Sequence, residues 1–451
     1  MGLPIQLLNA LSTVKGFDSK AFEAVHASGE QVTSIRLNPF KNTQPFANLM
    51  QEPIPWCKQG HYLSARPSFT LDPVFHAGGY YVQEASSMFL WHALEQLIGK
   101  ETEGKKVLDL CAAPGGKSTL LASYFADGLV VANEVIKSRS AVLVENITKW
   151  GQPNVIVTNN DPDHFKPLES FFDVILTDAP CSGSGLFRKD PAAIDEWSQE
   201  NVLHCSQRQE KILAAILPSL KEEGILLYAT CSYSVEEDEK IAEWLVAEMG
   251  LQPLDLAISD QWNIVRTASA NSGAPCFRFY PNLIKGEGFF IAAFKKTAPD
   301  HFVKWKEVTL PKPAKNELEL MNTFFQLPDG FCAFKQNDAI RIIPTIWMNT
   351  LQQLAKVLYI KKAGIEIGSP KGKDLIPAHE LAVSTLHLNS LPCITVNKDQ
   401  ALQYLRRNEL QLEARQGWYL LKFDHVYLGW VKVLANRVNN YYPAEWRILK
   451  G

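Results

Sequence analysis

The 451-residue sequence lacks paired cysteines, a basic excess and long apolar runs, and each absence excludes a class of protein. Its eight cysteines stand at positions 57, 111, 181, 205, 231, 276, 332 and 393, no two closer than 24 residues. That spacing excludes CxxC redox motifs and zinc knuckles and offers no disulfide framework, so no metal is expected and a reducing cytoplasm fits best. No stretch reaches the roughly 18 apolar residues of a membrane span, and the first residues, MGLPIQLLNALSTVKGF, carry no basic leader. The chain reads as a cytoplasmic protein with no membrane partner, and a monomer is expected. Formal net charge is −3, which argues against coating nucleic acid through bulk positive charge. With 46% hydrophobic and 21% charged residues the composition is globular, with mass for two to four domains, and disorder is excluded.

What is present is a regular alternation. KVLDL (106–110), LVVANE (129–134), NVIVT (154–158), DVILTD (173–178) and GILLYATC (224–231) are short β-branched runs separated by helical stretches. Strands alternating with helices predict an α/β, doubly wound, mostly parallel Rossmann-like sheet. CFRFYPN (276–282) and GFFIAAFKK (288–296) predict an antiparallel hairpin closing one edge. Residues 1–69 are expected to form an α+β RNA-binding module, 70–297 the sheet domain, 298–385 a linker and intermediate α+β domain, and 386–451 a small aromatic-rich α+β RNA-binding domain. The clearest linker is the Lys- and Pro-rich segment 295–317. Charge divides there: residues 301–451 hold 20 Lys and Arg against 13 Asp and Glu, leaving −10 on residues 1–300. A basic, aromatic-rich tail suits an auxiliary RNA contact, and an ordinary solvated surface is the plain alternative.

In an open α/β sheet, ligands bind beyond the carboxyl ends of the strands. After KVLDL comes Cys111-Ala-Ala-Pro-Gly-Gly-Lys117 and a helix start, where small residues admit a ligand and unpaired N–H groups face it. After LVVAN stands Glu134, 18 residues beyond Gly116, the distance at which an acid grips ribose hydroxyls. Asp161 follows NVIVT and Asp178 follows DVILT. Neither GxGxxG nor GxxxxGK[ST] is present, so an adenosine ligand without a pyrophosphate is expected, and S-adenosylmethionine is the one preferred.

Two cysteines, Cys181 and Cys231, follow the fourth and fifth runs and should share the cofactor's rim. A lone cysteine is usually a small buried hydrophobe. Two at adjacent strand exits, one beside Asp178 and an amide-rich Ser-Gly-Ser-Gly turn that would lower a thiol pKa, point instead to thiolate chemistry. Adding a thiolate to carbon 6 of cytosine breaks its aromaticity and makes carbon 5 able to attack a methyl group. The carbon 5 proton must then leave, a step for a second thiol, while Asp178 hydrogen-bonds the ring nitrogen. Spacing alone does not order the two thiols.

LDLCAAPGGKSTLL (108–121), FDVILTDAPCSGSGLFRKDP (172–191), SQRQEKILAAILPSLKEEG (206–224), LLYATCSYSVEEDE (226–239) and RFYPNLIKGEGFFIA (278–292) resemble the Fmu/Sun family of RNA cytosine-5 methyltransferases. Residues 54–89 are similar to the family's approach to the catalytic domain, and YLGWVKVLANRVNNYYPAEWRI (427–448) to the PUA-like end of its bacterial RsmF-type subgroup, whose members methylate small-subunit ribosomal RNA. The resemblance implies an S-adenosylmethionine site made of Cys111, Ala112, Ala113, Pro114, Gly115, Gly116, Lys117, Glu134, Asp161 and Asp178. It implies Cys231 as nucleophile and Cys181 as the release cysteine, with ribosomal RNA or the small subunit as partner. Transfer RNA is the alternative substrate, and a non-catalytic ribosome-assembly factor the alternative class. Asn159-Asn160 before Asp161 leaves open which of the three turns toward the adenine.

Other residues stay ambiguous. His76 could orient substrate or be structural, and Arg139 and Lys149 fit a solvated or packed helix face better than the cofactor. Arg188 and Lys189 could meet RNA phosphate. Trp418, Tyr419, Trp430, Tyr441, Tyr442 and Trp446 could stack on bases, though most are expected in a small core, which leaves Lys432, Arg437 and Arg447 as the better contacts.

Overall fold

In the computed structural model, residues 2–300, 309–388 and 391–449 are described, so part of the expected linker, 301–308, lies outside them. After helices Ile5–Leu11 and Ser19–Ala27, four strands form the first sheet: β1 (Thr33–Leu37), β2 (Met50–Ile54), β3 (Cys57–Leu63) and β4 (Tyr80–Val82), in the order β2-β3-β1-β4. This sheet extends past residue 69, because the backbone of Tyr80–Val82 pairs antiparallel with β1.

The central sheet is built from β5 (Lys106–Asp109), β6 (Leu129–Asn133), β7 (Val155–Thr158), β8 (Phe172–Asp178), β9 (Leu220–Thr230), β10 (Gln252–Leu254), β11 (Val265–Ala268), β12 (Pro275–Phe279) and β13 (Phe289–Lys295). The parallel strands run in the order β9-β8-β5-β6-β7, so the chain reverses direction of travel between β5 and β8. That reversal opens the crevice in which such sheets bind ligands. The expected hairpin is β12 and β13, antiparallel, with β13 also antiparallel to β9. The parallel strands are apolar on both faces because helices cover both. Helices Phe89–Leu97, Gly116–Tyr124 and Lys137–Trp150 pack one face, and Gln199–Ile216, Glu239–Ala247 and Met348–Val357 the other. Leu226 in β9 is fully buried, and truncating such a side chain to Ala costs about 2–5 kcal/mol.

The C-terminal third adds β14 (Phe331–Gln336), β15 (Ala339–Pro344), β16 (Ile360–Ala363), β17 (Ile365–Lys371) and β18 (Asp374–Pro377). Four of these form a sheet ordered β14-β15-β17-β18, whereas β16 leaves it and pairs antiparallel with β7, closing the open edge of the central sheet. The last sheet holds β19 (Cys393–Thr395), β20 (Gly417–Phe423), β21 (Val426–Val433) and β22 (Val438–Asn440).

Buried cations join these parts. Arg36 of β1 stacks over Trp150 at 4.5 Å and donates to Gln83, to Thr119 at 2.6 Å and to the Gly116 carbonyl. The Lys41 ammonium donates to the carbonyls of Ala77, Lys149 and Val383, one from each of three regions.

Candidate active site

A cavity of about 460 Å³ opens at the carboxyl ends of β5, β6, β7, β8 and β9. Of the expected site residues, Cys111, Ala113, Glu134, Asp161, Asp178, Cys181 and Cys231 line it. Ala112, Pro114, Gly115, Gly116 and Lys117 stand behind that lining. Gly115, at φ +117°, makes the left-handed turn into helix Gly116–Tyr124, a conformation that side chains resist.

The Lys117 ammonium lies 2.7 Å from the Asp178 carboxylate, so its first partner is the acid of the cysteine rim. Glu134 is buried and bonds the Ile136 amide, with the Arg139 guanidinium 3.8 Å away. Val135 and Ile136, roughly half exposed, offer the cavity an apolar wall that sequence reasoning missed.

The two asparagines before Asp161 do not turn into the cavity. Asn159 donates to the carbonyls of Glu134 and Val135, and Asn160 pairs through its amide with the backbone N–H and carbonyl of Tyr359, just ahead of β16. Asn133 bonds Leu110, Thr158 and both backbone groups of Asn160. These buried amides hold three strand exits in register and leave Asp161 at the cavity.

The Cys181 and Cys231 sulfurs are 3.1 Å apart, and both cysteines are free. The Cys181 thiol is pushed well up, first by its hydrogen bond to Cys231 and then by burial. This reverses the expectation that the Ser-Gly-Ser-Gly amides would lower it: the Gly183 N–H does lower it, but the bond to Cys231 and burial outweigh it, while Ser182 N–H is spent on Glu237 and Gly185 N–H on the Cys231 carbonyl at 2.7 Å. Gly185 also lies so close that a Cβ would sit 2.6 Å from that carbonyl, so a side chain would displace the Cys231 loop.

Glu237, in the acidic run Glu236–Glu239, ties the two loops together. Its buried carboxylate accepts from Ser182 N–H (2.7 Å), Ser182 Oγ (2.5 Å) and Ser232 Oγ (2.6 Å), and each serine follows one of the cysteines. Gln209 adds a longer bond at 3.3 Å. Beside it, Thr230 donates to Asp238, and the buried Arg278 pairs with Asp238 and Glu239.

Comparison with known proteins agrees with this geometry. Residues 96–295 match the family described as 16S rRNA methyltransferase RsmB/F, residues 3–85 the N-terminal domain of 16S rRNA methyltransferase RsmF, and residues 392–448 the methyltransferase RsmF PUA domain. Ribosomal RNA small subunit methyltransferase F of Shewanella woodyi is 30% identical over 440 residues, covering 91% of this chain and 90% of its own. The chain belongs to the RsmF family of 16S rRNA methyltransferases. Membership makes it an S-adenosylmethionine-dependent RNA methyltransferase. The protein of the same name from Vibrio vulnificus is 29% identical over 435 residues with the same coverage. A solved methyltransferase homolog from Pyrococcus horikoshii, 28% identical, superposes with a TM-score of 0.53 over 65% of this chain and all of its own.

In this RsmF-family chain the ambiguous residues sort by burial. His76 is structural: its ring bonds the Thr70 carbonyl and the Tyr442 hydroxyl, and burial pushes its pKa down to about 4. Arg188 is not free for phosphate, being buried against Glu287 and the carbonyls of Gly286 and Glu30, whereas Lys189 is exposed at a polar groove with Arg66. Lys149 is buried against Glu145. Trp430 and Tyr442 belong to the core, while Trp418 packs on Tyr441 at 4.5 Å with the Lys432 ammonium above it. Among the described residues no group of His, Cys, Asp or Glu could hold a metal ion, and no helix is long and apolar enough to cross a membrane.

Proposed function

We propose that this chain methylates carbon 5 of a cytosine in 16S ribosomal RNA, with Cys231 as nucleophile and Cys181 as the group that allows release. The observation that carries the reading is the pair of free thiols 3.1 Å apart at the end of a cavity lined by Glu134, Asp161 and Asp178. Carboxylates at two strand exits suit ribose hydroxyls, and the apolar wall of Val135 and Ile136 suits an adenine, so S-adenosylmethionine fits the donor set. When bound it supplies an electrophilic methyl group.

With Cys181 as the hydrogen-bond donor, the proton of the pair sits on Cys181 and Cys231 is the sulfur free to attack carbon 6. Carbon 5 takes the methyl group while Asp178, held by Lys117, hydrogen-bonds the base. Once the Cys231 sulfur is bonded to carbon, Cys181 loses the acceptor that kept it protonated and surrenders its proton to solvent more readily. Its thiolate can then take the carbon 5 proton, and the Cys231–carbon 6 bond breaks to return the free thiolate. The base must leave any stack to present its ring face. A cytoplasmic monomer fits the reading, and light scattering of the purified chain measures the oligomeric state.

The test uses unmethylated 16S rRNA. Cys231→Ala should abolish methyl transfer, and Cys181→Ala should accumulate a covalent protein–RNA adduct seen on a denaturing gel. Full activity in Cys231→Ala would sink the mechanism.

A further inference from the structure

The cavity carries two cations that the cofactor reading leaves unused. Arg208 and Lys211 lie three residues apart on helix Gln199–Ile216, the spacing that puts side chains on one face, and both line the cavity with Ile212 and Ala215. Both are exposed, and among the described residues neither makes an ion pair or a side-chain hydrogen bond. The other charged side chains of the lining differ in this respect: Glu134 stands near Arg139, Asp163 near Lys166 and Asp178 near Lys117, and Asp161 caps its own turn. The helix backbone that carries the two cations is fixed at the cysteine rim. Gln209, the residue after Arg208 and fully buried, donates to the Pro180 carbonyl at 3.0 Å and accepts from the Tyr228 hydroxyl.

We propose that Arg208 and Lys211 seat the backbone phosphate of the target nucleotide. The inference rests on the RNA cytosine reading above and names the group that positions the base for Cys231. A base extruded from its stack brings its own phosphate to the mouth of the cavity. Phosphate contacts fix register without reading sequence, and a guanidinium with an ammonium one turn away supplies both fork geometry and charge. The carboxylates of the lining suit ribose hydroxyls, whereas these two unpaired cations suit the RNA backbone. The competing anion is the carboxylate of the cofactor's methionyl group.

Binding separates the two anions. The double variant Arg208→Ala/Lys211→Ala should weaken binding of in vitro-transcribed 16S rRNA about tenfold. It should also flatten the dependence of log Kd on log salt by about 0.7 for each single-strand phosphate that is no longer neutralised. S-adenosylmethionine affinity, measured by calorimetry, should stay at the wild-type value. A loss of S-adenosylmethionine affinity with an unchanged salt slope overturns the proposal and assigns the cations to the cofactor's carboxylate, and no change in either quantity also overturns it. Because both side chains are exposed, the fold should survive, with an unchanged melting curve as control. The salt slopes need no chemistry, so they remain readable even if Cys231→Ala kept its activity and the cytosine mechanism fell.

Discussion

Two buried polar groups, one at the cysteine rim and one at the junction with the C-terminal third, are treated in opposite ways. Glu237 accepts hydrogen bonds from Ser182, Ser232 and Gln209. His379 has both ring nitrogens shut off from solvent and, among the described residues, no hydrogen-bond partner, its ring edge-on to Tyr442 and Trp446. Burial pushes its pKa down to about 3, so it sits neutral. The rim must hold two sulfurs in register, which needs directional bonds. The junction needs only packed surface, and an unpaired neutral ring is tolerated there.

The largest effect should come from breaking the rim. Glu237→Ala leaves Ser182 N–H and two serine hydroxyls without their acceptor, at about 1–3 kcal/mol for each group left unsatisfied. Methyl transfer should fall by about a hundredfold or more, since small misplacements of reacting groups carry such costs. Full activity with an unshifted melting temperature would show that the sulfurs are placed by something else. A smaller effect is expected where the two regions meet. Asn160→Ala removes both bonds to the Tyr359 backbone and should raise the KM for S-adenosylmethionine severalfold with kcat nearly kept, because the loop bearing Asp161 loosens while the cysteines stay put. A fall in kcat alone would contradict this.

The smallest effect at neutral pH should be His379→Leu, which deletes an unpaired polar ring and should move the melting temperature at pH 7.5 by only about 2 °C. Acid should separate variant from wild type. His76 and His379 titrate at about 4 and about 3 in the folded chain against about 6.5 when unfolded. The unfolded chain therefore binds more protons below about 6.5, and stability falls as pH drops from there toward 4. Melting curves at pH 7.5 and pH 5 should show a shallower acid loss in His379→Leu, and equal losses would mean that the junction does not feel these rings.

Much of the rim was legible because strand exits in a parallel sheet converge, so residues following β5, β6, β7, β8 and β9 had to meet. What stayed hidden was partner choice. Lys117 reads as part of a cofactor loop, yet the first turn of its helix aims it at Asp178. Glu237 is one acid in Val-Glu-Glu-Asp-Glu, and its only signal was standing five residues after Ser232. Lys362 is buried against Glu380 and the Gly364 carbonyl, in a strand that completes the central sheet, and no motif in the sequence marked it. Arg188 next to Lys189 shows the same limit: adjacent cations, one sealed against Glu287 and the other exposed.

By itself the sequence determined the alternation of strands and helices, the residue types at each strand exit and the division of charge at residue 300, because period, turn chemistry and composition are local. Only the tertiary structure decided that Cys181 faces Cys231 at 3.1 Å with its thiol pushed up, that Glu237 ties their loops, that Asn160 reaches the C-terminal third, and that Arg208 and Lys211 have no ion pair or side-chain hydrogen bond among the described residues. Those outcomes depend on burial and on contacts between residues tens to hundreds of positions apart, which no local pattern encodes.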